Sequence, residues 1–269
     1  MYITTSLLSF MNHTYNSQAI WVRAALFFVL LFGCFSVQAA PPSSAQITAS
    51  TTAFLKRFVN KDGEVNYKAI QRDPKQLTTL LKDIASFSMN GASQADLYAF
   101  YLNAYNVLVI GEIVSNYPVT SVREMPGFFD KKLILVGGEK MTLDELEHNK
   151  LRKLYDDPRL HFALVCGTAS CPRLSREAYM GKDLFTQLND QTRRVLQDPA
   201  FVKVDAEGKT VLLPEIFKWY EADFGTSGKT GVAYVNQFRA DKRVPTWFAM
   251  EYYTYDWKLN EQKSEASKK

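Results

Sequence analysis

The sequence predicts an α+β fold, a single domain with a mainly antiparallel sheet, a buried central helix and flanking helices. Three observations carry this. Residues 97–113 are apolar almost all round, as in a helix enclosed on every side. Two short extended pairs, around Gly137-Gly138 and Glu207-Gly208, read as hairpins. Helices and strands mix without a regular βαβ rhythm.

Residues 41–46 read as a linker, and residues 47–59 have helical spacing. Asp62-Gly63 turns into a short extended piece at 65–67. Asp73-Pro74 opens a helix to Phe87, with Pro at its first position. Ser93 and Asp96 open the apolar helix, which runs to about Asn116. Strands at 133–136 and 139–141 flank the first hairpin turn. Thr142 and Glu145 form a capping box for a helix to about Tyr155. Its inner stripe is Leu143, Leu146, Leu151 and Leu154, with Glu147 inside the stripe and His148 at its edge. Lys150 is placed to neutralise Glu147. Residues 160–165 read as an inner strand, 183–197 as a helix, and 201–204 with 210–213 as the second hairpin. Pro214 opens a short helix ending at Gly225. Residues 231–240 are helical, 248–257 alternate as a strand, and 261–269 read as a disordered tail.

The first 40 residues contain no Asp or Glu. Arg23, an apolar run to Cys34 and the small-residue site Val37-Gln38-Ala39-Ala40 make a removable secretory signal. The expected location is therefore periplasmic or secreted. A rival reading makes Leu31-Phe32-Gly33-Cys34 a lipoprotein signal. The apolar run is shorter than the ~20 residues that span a bilayer, and no later segment is expected to cross one. A net charge of +4, from 32 basic and 28 acidic residues, is too balanced for a nucleic-acid binder. A monomer without a cofactor is expected.

Beyond the leader, every His and Cys lies between 148 and 171, namely His148, His161, Cys166 and Cys171. If 161–166 is one strand, His161 and Cys166 face opposite sides of it. Several readings stay open. Cys166 and Cys171 form a disulfide, as an oxidising compartment favours. Alternatively one of them is a nucleophile with His148 or His161 as base, oriented by Glu147 or Asp256. A third reading gathers the two Cys and two His around zinc, and a fourth packs inert cysteines in the core. Asn103 and Asn106, three apart on the apolar helix, either tie down loops or line a site. The aromatic run 214–225 serves core packing or sugar stacking, and its acids, Glu215 with Glu221 or Asp223, are a weak glycosidase signal.

Several of these runs occur together in a known family. They are the nine residues from Phe100 to Leu108, Glu147-His148 with Leu151-Arg152, and the stretch from His161 to Pro172. The runs from Ile216 to Phe224 and from Tyr255 to Asn260 complete the set. Over residues 50–260 the chain resembles domain-of-unknown-function family 547. The resemblance implies one exported domain with a functional face built from the motif residues, and supplies no substrate. A looser fold-level resemblance is to papain- and transglutaminase-like proteins, where Cys and His meet across a helix and a sheet. Here the cysteines follow a strand, and the buried helix offers Asn103 in place of a helix-borne Cys.

The expected site groups Cys166, Cys171, His148, His161 and Glu147 as catalytic residues, with Asn103 and Asn106 binding substrate. The expected activity is that of a thiol-dependent hydrolase or acyl transferase acting on peptides or cell-envelope material. The alternatives are a disulfide-stiffened envelope-binding module and a zinc-dependent hydrolase.

Overall fold

A computed structural model describes residues 41–225 and 231–263. The signal and lipoprotein readings, which fall on Met1–Ala40, lie outside the described residues, as do residues 264–269 of the expected tail. Helix α1 (Ser44–Phe58) starts inside the expected linker because Ser43 and Gln46 form a reciprocal capping box. Helix α2 (Tyr67–Arg72) is capped by Asn66, and α3 (Lys75–Ser86) follows Pro74. Val65 makes only isolated bridges, to Val59 and Glu261.

Helix α4 (Gln94–Asn116) is the centre of the domain, capped by Ser93 as expected. Contrary to the sequence expectation, it is long and apolar enough to cross a membrane by length and composition. Of its most apolar window, however, 89% is buried inside the fold. Residues from α1, α2 and α3 and the hairpin β1 (Ile134–Val136) and β2 (Glu139–Met141) pack in one cluster with it.

Helix α5 opens at Thr142 with the expected capping box and runs through Leu143–Glu145, a π stretch Leu146–Arg152 and Lys153–Tyr155. The buried pair Leu146 and Leu151 is five residues apart, an i→i+5 spacing that a π turn brings to one side. The wider turn rotates the end of the helix, so Leu154 is 58% exposed instead of joining the inner stripe.

Residues 160–165 are not one strand. Arg159 N–H donates to the Asp157 carboxylate, and Leu160 and His161 donate to the carbonyls of Asp157 and Pro158. That turn starts a short helix, α6 (Leu160–Ala163), before Leu164 turns extended. Helix α7 (Leu184–Leu196) leads to β3 (Lys203–Asp205) and β4 (Thr210–Pro214). The helix expected after Pro214 is two, α8 (Ile216–Trp219) and α9 (Glu221–Phe224), separated at Tyr220. Helix α10 (Gly231–Gln237) precedes β5 (Ala249–Tyr253). Strand β3 pairs antiparallel with β4, and β5 joins β4 in parallel. The described strands thus form two small sheets in an α+β arrangement, antiparallel in two of their three pairings.

A second apolar cluster surrounds Phe162, built from Val211, Leu213, Phe217, Phe224 and Tyr234. Residues 160–165 cross between the clusters, with Phe162 in the second and Leu164 and Val165 in the first.

Candidate functional site

A cavity of about 200 Å³ opens where the two clusters meet. Its walls include Tyr105 from α4, Glu147 from α5, His161 from α6 and Tyr220 between α8 and α9. Cys166, Cys171, Tyr255 and Trp257 complete that side. Because α6 is a helical turn followed by extended chain, His161 and Cys166 line the same cavity, and the opposite-face expectation does not hold.

Cys166 and Cys171 are joined by a disulfide. Their loop is sewn to the chain's last described segment. Ala169 and Ser170 donate to the carbonyls of Lys258 and Asp256, and Asn260 donates back to Gly167. Gly167 adopts φ +80°, and a β-carbon there would come within 2.4 Å of Ile113 on α4. Only glycine fits both the backbone angle and the space. Residues Glu261 and Gln262, expected to be disordered, are docked. Glu261 accepts from the Tyr117 hydroxyl, and Gln262 donates to the carbonyls of Phe58 and Glu64.

His161 is buried, and its Nε2 lies 2.6 Å from Oδ2 of Asp223. Arg152 donates to both oxygens of the same carboxylate at 2.8 Å. The His161 hydrogen bond, helped by Arg152, holds the Asp223 carboxyl below its ordinary range. An ionised carboxylate only accepts, so Nε2 carries the hydrogen, and in the neutral ring the lone pair is on Nδ1. The imidazole packs on Tyr220, centroids 4.2 Å apart, and the Arg152 guanidinium lies 4.8 Å from the centroid of that same tyrosine ring. An imidazole held by a carboxylate in this way is the geometry that orients a general base.

Glu147 lines the cavity, but its partner is the Tyr220 hydroxyl at 3.0 Å. Burial, and then Glu147, drive the Tyr220 phenol up. Lys150, expected to neutralise Glu147, pairs with Glu139 instead. Asp256, the other candidate to orient a base, accepts from the Lys258 N–H and lies in a separate groove.

His148 is exposed, with Nδ1 2.9 Å from the Asp144 carbonyl, and lines a different cavity with Arg152, Asp156 and Asp157. The four expected zinc ligands therefore do not converge, and among the described residues no three His, Cys, Asp or Glu side chains group as a metal site.

Asn103 and Asn106 spend both ends of their amides on backbone. Asn103 bonds the N–H and carbonyl of Tyr179, and Asn106 bonds Val165 N–H and Ala163 carbonyl. Neither is among the residues lining the cavity. Asn106 fixes the crossover that delivers Cys166, so its influence on the site runs through the backbone.

The site residues least visible in the sequence are Asp223, Tyr255 and Thr168. Asp223 is 62 positions from His161, and no local spacing links them. The sequence flagged Asp223 only as one acid of a weak carboxylate pair within the aromatic run, not as a partner of His161.

Residues 89–196 match the model of a family described as a protein of unknown function, DUF547. That span holds α4, the π stretch, His161 and both cysteines, and it supports the resemblance there. The runs containing Asp223 and Tyr255 lie outside it. No curated protein and no solved structure matches the chain.

Proposed function

We propose that this chain, whose residues 89–196 match the model of a family of unknown function, is a thiol-dependent hydrolase or acyl transferase. Its substrates are peptides or cell-envelope material, reached after export under the amino-terminal signal pattern. The observation that carries this reading is that His161, hydrogen-bonded to Asp223, lines one cavity with Cys166 and Cys171.

The reaction starts from the dithiol, because neither sulfur of a disulfide is a nucleophile. His161 Nδ1 takes the proton of a cysteine thiol, and the thiolate attacks an acyl carbon. The leaving amine or alcohol takes the proton back from His161 as the carbon–heteroatom bond breaks. Water then cleaves the thioester, or an acceptor amine takes the acyl group, with His161 again as base. Asp223 keeps the imidazole in the working tautomer and steadies the imidazolium. A cavity of about 200 Å³ walled by Trp219, Tyr255 and Trp257 suits one apolar or ring-bearing group of the substrate.

The test is to reduce the protein, offer an activated acyl ester, and look for a thioester by intact mass. An adduct on Cys166 or Cys171 that fails to form in His161→Gln supports the reading. Equal labelling of wild type and His161→Gln contradicts it.

A second reading is a binding module in which the disulfide is a staple. The loop sewn to residues 256–260 favours it. Under that reading the reduced protein loses stability and forms no thioester.

A further inference from the structure

The two halves of the disulfide are not equivalent. Cys171 borders both the aromatic cavity and a polar groove of about 680 Å³, whereas Cys166, of these two, lines the cavity. Sγ of Cys171 accepts from the Cys166 N–H at 3.0 Å and lies 3.1 Å from the Tyr255 hydroxyl. The Thr168 hydroxyl, 3.0 Å from Tyr255 oxygen, completes the chain of donors. Sγ of Cys166 has the two hydroxyls nearby but no backbone N–H. Burial pushes the Tyr255 phenol up to about 12, so it keeps its hydrogen at neutral pH. Donors of this kind favour negative charge on sulfur, and a sulfur that bears charge well is the better leaving group in exchange.

We propose that Cys166–Cys171 is an exchanging disulfide, attacked at Cys166 by the thiol of a cysteine-pair peptide, with Cys171 leaving into the Cys166 N–H and the Tyr255 hydroxyl. His161 Nδ1 takes the proton of the incoming thiol. The new sulfur–sulfur bond joins the peptide to Cys166 as the Cys166–Cys171 bond breaks, and the electron pair passes to Cys171. The peptide's second thiolate then attacks its own sulfur in the mixed disulfide. The peptide departs as a disulfide, and Cys166 is left reduced. Each turnover oxidises one peptide dithiol and reduces one protein disulfide, leaving the dithiol that acyl chemistry requires. The thiol enters through the cavity that Cys166 and His161 line, and the adjoining groove, reached across Cys171 and Pro172 and walled by Asp62, Glu64 and Asp198 with Arg173, Lys203 and Lys258, takes the rest of the extended peptide. Mixed charges of that kind match a polyampholyte better than a ligand of one sign.

The experiment uses the oxidised protein with millimolar glutathione, then with a reduced Cys-Ala-Ala-Cys peptide. Samples are quenched in acid, alkylated and mapped by mass spectrometry. The expected result is glutathione on Cys166, an alkylated Cys171, and one equivalent of oxidised peptide. Tyr255→Phe, checked for folding by circular dichroism, should exchange about tenfold more slowly. No adduct over hours, glutathione on Cys171, or an unchanged rate in folded Tyr255→Phe each overturns the proposal. Failure of the acyl probe leaves this result untouched, so the two readings fail separately.

Discussion

Asp223 binds the site together by accepting from His161 and Arg152 with one carboxylate. Its folded-state pKa is depressed, chiefly by the His161 hydrogen bond. The stability this contributes is therefore present above the unfolded carboxyl value of about 3.9. It is lost as pH falls through the lower native value. Wild-type urea midpoints should fall more steeply below about pH 4 than those of Asp223→Asn. At neutral pH that variant should lose about 2 kcal/mol, since two charge-assisted partners are left half-satisfied. Asn103→Ala should cost about 2 kcal/mol in thermal unfolding, because the Tyr179 N–H and carbonyl lose their buried partner. The same variant should leave thiol reactivity of the reduced protein unchanged. A loss of reactivity in Asn103→Ala would restore its substrate-binding role.

At the level of elements, the decisive pieces are the ones with unusual local geometry. Gly167 sits at φ +80° against Ile113 and Val109 on α4. Gly167→Ala should destabilise by about 2 kcal/mol and displace the cysteine loop. A melting temperature within a degree of wild type would show that the loop tolerates the change. The sequence made the regular elements legible. The Ser93 cap, the Thr142–Glu145 box and the two hairpins obey local rules that packing did not override. It misled at 160–165, where an apolar run reads as strand but the Asp157-Pro158 turn winds a helix. It also misled at Leu154, because the stripe argument assumes 3.6 residues per turn and the π stretch does not have them. The first error bears on the site, since it decides whether His161 and Cys166 share a cavity. The His161–Asp223 pairing was beyond local pattern altogether, being set by how α9 packs against α6.

For the whole molecule, the site lies at the seam between two apolar clusters, where neither closes fully over the other. Cavities form at such joints, and groups from distant parts of the chain converge there. Export is testable on the same scale. Expressed with its leader, the protein should be recovered from the periplasm beginning at Pro41, as intact mass would show. A product that retains Met1 would count against the signal reading. The central claim is that the cavity makes a nucleophile of one cysteine through His161. The most direct measurement is the pH dependence of iodoacetamide alkylation of the reduced protein, with each cysteine followed by mass. One cysteine should titrate below the ordinary thiol value of about 8.5, and His161→Gln should return it there. Two cysteines that titrate as ordinary thiols in the folded wild-type protein would contradict the account.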